Sequence, residues 1–83
     1  MLYRILTELK NKGQVATIVS GYFPGFTMLE GEGYWHMRPE PSLVVEIETD
    51  DLERVTNAAS AIKTHNGQDA VMIQQIANHA WLV

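Results

Sequence analysis

Cysteine is missing from all 83 residues. That removes disulfide frameworks, zinc fingers, iron–sulfur clusters and thiol nucleophiles. It also fits a reducing cytoplasm, the expected location. Basic charge is scarce: six Lys and Arg stand against ten Asp and Glu, for a formal net charge of −4. The densest basic pair is Lys10 and Lys12. So few cations cannot supply the many phosphate contacts of non-specific nucleic-acid binding, or a polybasic patch for anionic lipid. Long apolar runs are lacking as well. The opening MLYRILTELK carries charge inside its apolar stretch, so neither a secretory signal nor a membrane span is expected. No nucleophile elbow, P-loop, dinucleotide fingerprint or HExxH pattern occurs.

What remains is one continuous domain, without repeat, linker or low-complexity tract. At this length surface is large relative to core, and small domains without disulfides often gain stability by associating. The most legible stretch is SLVVEIET. Leu43, Val45 and Ile47 point one way and Val44, Glu46 and Glu48 the other, which describes a strand with one dry face. Pro39 and Pro41 bracket Glu40 just before it, where they are expected to prevent regular pairing. Asp50, with Glu53 three residues on, reads as an N-cap. Leu52, Val55, Ala58, Ala59 and Ile62 then recur at helical spacing until Asn66-Gly67 stops the helix. DAVMIQQIA reads as a further strand.

The first half is read the same way. Val15, Ile18, Val19, Tyr22 and Phe23 predict an amphipathic helix ended by Pro24-Gly25. FTMLEGEGYW reads as a strand in which Gly31 and Gly33 mark a bulge or bend. Segment 2–9 fits a helix through Leu2, Ile5, Leu6 and Leu9, and a strand through Tyr3, Ile5 and Thr7. A strand is expected, because a helical start would leave three strands beneath two helices. The order β-α-β-β-α-β then gives an α+β, ferredoxin-like fold: a four-stranded antiparallel sheet with two helices on one face. The other face, carrying Val44 and Glu46, is left open, and an uncovered apolar sheet face is an association surface. A homo-oligomer, dimer to tetramer, is therefore expected.

Several short motifs carry a resemblance: Tyr3-Arg4-Ile5-Leu6-Thr7-Glu8, Gly25-Phe26-Thr27, Gly31-Glu32-Gly33-Tyr34-Trp35, Glu40-Pro41-Ser42-Leu43 and Gln68-Asp69-Ala70-Val71-Met72. With these the chain resembles a group of small bacterial proteins often carried on mobile elements, which implies an accessory role. In element order that group is similar to the nitrogen-regulatory PII proteins and the CutA proteins. The resemblance implies ferredoxin-like oligomers with ligand sites between subunits. It implies no ATP site, because the PII nucleotide signatures are not visible, and only His36 to Pro41 stand where PII proteins carry a long loop.

The densest functional-looking cluster is Tyr34, Trp35, His36, Arg38 and Glu40. Trp35 can stack on a planar ligand while Arg38 grips an anionic group, which suits a small anionic ligand. The competing reading is packing: the aromatics sit at a subunit contact and Arg38 pairs with Glu40 at its rim. His36, His65 and His79 show no metal-ligand spacing with each other or with nearby carboxylates, so no metal and no cofactor is expected. Glu46 faces the open side and would need a partner if association buries it; Arg4 can supply one. Trp81 and Leu82 lie near a chain end that would ordinarily fray, and are expected to dock on the domain's own core or on a neighbour. Three functions compete: a non-enzymatic homo-oligomeric module binding a small ligand in an inter-subunit cleft, a cofactor-free monooxygenase-like enzyme using His36 and Trp35, and an inhibitor- or antitoxin-like protein-interaction module. The first fits the missing catalytic motifs best.

Overall fold

The computed structural model describes residues 1–83. Its elements are β1 (Leu2–Glu8), α1 (Lys12–Ser20), β2 (Thr27–Trp35), β3 (Arg38–Glu48), α2 (Leu52–Asn66) and β4 (Met72–Ile76). They form the expected α+β, ferredoxin-like arrangement. The four-stranded sheet runs β2-β3-β1-β4, with every neighbouring pair antiparallel. Each β-α-β half leaves a slot between its own strands, and a strand of the other half fills it: β3 lies between β2 and β1, and β1 between β3 and β4.

Strand alternation decides the two faces. Tyr3, Ile5 and Thr7 of β1 and Leu43, Val45 and Ile47 of β3 are buried. Val15 and Val19 of α1 and Val55, Ala58, Ala59 and Ile62 of α2 close over them in one core cluster. Residues Leu2–Glu8 are a strand because the odd positions meet this core while the even positions face away. No helix is long and apolar enough to cross a membrane.

Two polar residues are buried, Thr7, whose hydroxyl donates to Gln68 Oε1, and Asn66, which is 2% exposed. Its Nδ2 donates to the Lys10 carbonyl and to Gln68 Oε1, and its Oδ1 accepts from Asn11 Nδ2 at 3.1 Å. Lys10 Nζ donates to the Asn66 carbonyl at 2.8 Å. The turn before α1 is thereby tied to the end of α2. Asn11, in the left-handed region at φ 54°, makes no side-chain cap bond to its own helix and spends its amide here. Gly67, at φ 63°, ends α2 as expected.

Five local expectations change. The cap of α2 is Asp51, whose carboxylate accepts from the Arg54 amide at 3.0 Å, while Asp50 accepts from the Met1 amine. Helix α1 stops at Ser20 with Gly21 as its cap, before Tyr22 and Phe23. The last strand begins at Met72, leaving Asp69 to Val71 outside it. Gly31 and Gly33 mark no bulge: the β2–β3 register runs unbroken from Thr27↔Glu46 to Trp35↔Arg38. Gly33 answers a space requirement instead, since a Cβ there would lie 2.8 Å from Ser42 Oγ.

The fifth change concerns Pro39 and Pro41, which lie within β3 and pair with Tyr34 and Glu32. Parity explains it. A two-residue turn makes Trp35/Arg38 a hydrogen-bonded pair, so the even residues of β3 bond to β2. The odd residues face β1, as the bond from the Leu9 amide to the Pro41 carbonyl shows. Both prolines therefore turn their missing N–H groups away from β2, toward an edge where β1 has already ended at Glu8↔Ser42.

Candidate functional site

The sheet face opposite the helices carries Leu2, Leu6, Leu29, Val44, Met72 and Ile76, read from register, and all are at least partly exposed. In their midst Arg4 Nε donates to Glu46 Oε2 at 2.8 Å across the β1–β3 pair. This is the partner expected for Glu46.

Strands β2 and β3 outrun β1. From Gly33↔Glu40 outward they form a two-stranded arm with no third strand beside it. His36 and Met37 make its turn, with φ of 49° and 63°. Both central residues at positive φ is the geometry of a type I′ hairpin, which normally recruits Asn and Gly. The exposed arm carries Tyr34 at 70%, Trp35 at 67% and Met37 at 94% of full exposure.

The arm divides the cluster expected at residues 34–40. Trp35, Arg38 and Glu40 share the open face of the sheet, by register. Tyr34 lies on the opposite face, where a hydrogen bond to Glu32 and then partial desolvation raise its phenol above the ordinary value. His36 sits in the turn, its ring edge-on to Trp35 at 4.9 Å between centroids. Arg38 and Glu40 form no ion pair.

Where β1 ends, a notch of about 570 Å³ opens between the arm and the start of β4. Leu6 and Glu8 contribute from β1, Trp35 and Glu40 from the arm, and Val71 and Met72 from the β4 side. Its only charged lining residues are two carboxylates, and neither Arg38 nor His36 lines it. The expected grip of Arg38 on an anionic group beside Trp35 is therefore not assembled within one chain. Sequence reasoning missed Glu8, whose place in the notch depends on β1 ending beside Ser42. A second groove, about 640 Å³ between α1 and α2, is lined by Ile18, Tyr22 and small polar residues and by none of the expected site residues.

Of the two dockings expected for the end of the chain, the one on its own core is not made. Trp81 is 80% exposed and Leu82 and Val83 fully so; they do not dock on their own core. One side-chain hydrogen bond ties back the segment after β4: Asn78 Nδ2 donates to Glu48 Oε2 at 2.9 Å. Trp81 stacks on His79 with 6.1 Å between ring centroids. No set of three His, Asp or Glu side chains converges as a metal-binding group would.

No protein-family model matches the chain, and no curated protein does. Solved structures do. A crystal structure of a DUF3240 family protein from Shewanella baltica matches with a TM-score of 0.63 at 14% identity, over 99% of this chain and 94% of that one. A de novo designed protein, Foldit4, matches with a TM-score of 0.52 at 10% identity, over 94% of each chain. A natural and a designed protein thus share this arrangement at low identity, so the chain is similar to both in fold, and fold alone does not carry function.

Proposed function

We propose that the protein is a non-enzymatic homo-oligomeric module whose open sheet face packs against copies of itself and whose notch at Trp35 becomes a small-ligand cleft between subunits. The carrying observation is the apolar open face around the Arg4–Glu46 pair. An apolar sheet face of this kind gains free energy when covered. A satisfied ion pair at its centre can be buried without leaving a lone charge. Exposed Trp81 and Leu82 add apolar surface that the domain's own core does not take up. The notch gives Trp35 as a stacking surface and is open on one side in a single chain, so a second chain supplies the missing wall. Ligand sites between subunits are also what the likeness to PII and CutA proteins implies.

A cofactor-free oxygenase would need His36 and Trp35 facing one enclosed pocket. His36 instead sits in an exposed turn beside Trp35, and the notch excludes His36, so no observation favours that reading.

Light scattering across a dilution series should give a mass of two to four chains, and deleting residues 79–83 should lower it. A thermal-shift screen of nucleotides, organic acids and metals should find at least one stabiliser at millimolar concentration. A chain that stays monomeric when concentrated would reject the assembly, and an empty screen on an intact oligomer would reject the ligand cleft.

A further inference from the structure

We infer that the tip of the β2–β3 arm of a second copy seats in the notch, with Met37 against its apolar wall and Arg38 between Glu8 and Glu40. The inference rests on the homo-oligomer reading above and names the contact that builds it: the arm tip is the wall a second chain supplies, and the small-ligand cleft is the space it leaves beside Trp35.

The notch asks for a cation on an apolar stem. It offers Leu6, Val71, Met72 and the Trp35 indole as apolar surface, and Glu8 and Glu40 as charge. Neither carboxylate has an ion-pair partner within the chain. Lys10 lines a separate groove with Glu8 and Glu40, and its ammonium is committed to the Asn66 carbonyl. An indole lining the same notch as two carboxylates suits a guanidinium, which stacks and donates bidentate hydrogen bonds at once.

The arm tip presents this chemistry. Met37 is almost wholly exposed, and the neighbouring Arg38 is exposed and unpaired. Arg38 does not line its own chain's notch, so the contact is made between chains. The turn backbone gives independent support. His36 and Met37 both occupy the left-handed region that non-glycine residues avoid. Asn-Gly would make the same turn without that strain. A strained, solvent-exposed pair keeping large side chains is accounted for if those side chains make contacts elsewhere.

The edge of the notch also selects the mode of docking. Pro39 and Pro41 remove the N–H groups that β3 would turn toward an added strand. Strand addition is blocked there, and side-chain insertion remains.

The test uses the full chain, followed by sedimentation and light scattering. Arg38→Glu, and separately Glu8→Lys with Glu40→Lys, should each raise the dissociation constant more than about tenfold, the usual loss when one side of an interfacial charge pair is reversed. Mixing the two variants should restore association, because each reversed tip then meets a reversed notch. His36→Asn with Met37→Gly should raise the melting temperature of the dilute monomer while weakening assembly, a split that misfolding cannot produce. Undiminished assembly by both charge variants, or no recovery on mixing, overturns this contact while leaving the oligomer standing. A wild-type chain that never associates overturns the oligomer reading itself, and this contact with it.

Discussion

Leu43, Val45 and Ile47 are sealed from solvent, while Val44, Glu46 and Glu48, interleaved with them on the same strand, are not. One strand thus belongs to two environments that differ in what they can do. The sealed side holds twelve buried apolar residues in a single cluster and supplies the driving force for folding one chain. The open side and its arm spend Leu29, Trp35 and Met37 on solvent, a cost to a solitary domain and an asset to an assembling one. Substitutions on the sealed side should therefore act on the monomer, and those on the open side should act in proportion to protein concentration.

The largest single-chain effect should come from Ile47→Ala. It empties a fully buried position, which typically costs about 2–5 kcal/mol. Urea titration of dilute protein measures it. The sealed-side description is wrong if Ile47→Ala and Val44→Ala cost the same. Next comes Asn66→Ala, which strips the Lys10 carbonyl and the Asn11 amide of their partner. Leaving buried groups unpaired costs about 1–3 kcal/mol, and these part-buried ones should lie at the low end. The same titration reads it, and a loss no larger than that of an exposed alanine substitution would show that water replaces the amide freely.

Arg4→Met sharpens the contrast. In a single chain the pair is partly exposed on both sides, and breaking a pair of that kind costs about 0.2–1 kcal/mol. In an assembly that covers the face, the bare Glu46 carboxylate would be stranded, and the penalty should grow to several kcal/mol. Melting temperatures of wild type and variant should therefore diverge as concentration rises. Parallel curves would mean that the face stays wet.

Much of this was legible beforehand because period-two patterning is a local signal. SLVVEIET declared its two faces, and with them the Glu46 problem and its Arg4 solution. The identity of β1 needed the architecture, since Leu2, Ile5, Leu6 and Leu9 satisfy a helix equally well. The arm was hidden by its prolines. Whether Pro39 and Pro41 break a strand or edge it depends on which side their nitrogens face. That parity follows only once the turn is known to be His36-Met37 alone. The notch was hidden for a related reason: Glu8 meets Glu40 and Trp35 because β1 is shorter than β3, a difference in length that no motif spells out. Asn66 looked like a helix stop and is also the polar centre of the α1–α2 end, which only long-range packing reveals.

The smallest expected effect concerns pH and the segment that follows β4. Hydrogen bonding from Asn78, and then from the N-terminal ammonium, holds the Glu48 carboxyl below its ordinary value of 4.5. A carboxyl whose folded value is depressed contributes stability above its unfolded value and loses it as pH falls through the folded one. The contribution should thus be complete above about pH 4.5 and fade below it. Asn78→Ala removes the larger cause, so thermal melts of this variant should decline less steeply with acid than those of wild type, with the two converging at the acid end. Glu48 is about half exposed, so the difference should be small and should shrink further in high salt. Identical acid limbs would mean that the Asn78–Glu48 bond does not persist in solution. Residues 79–83 would then have no hydrogen-bonded tether to their own domain.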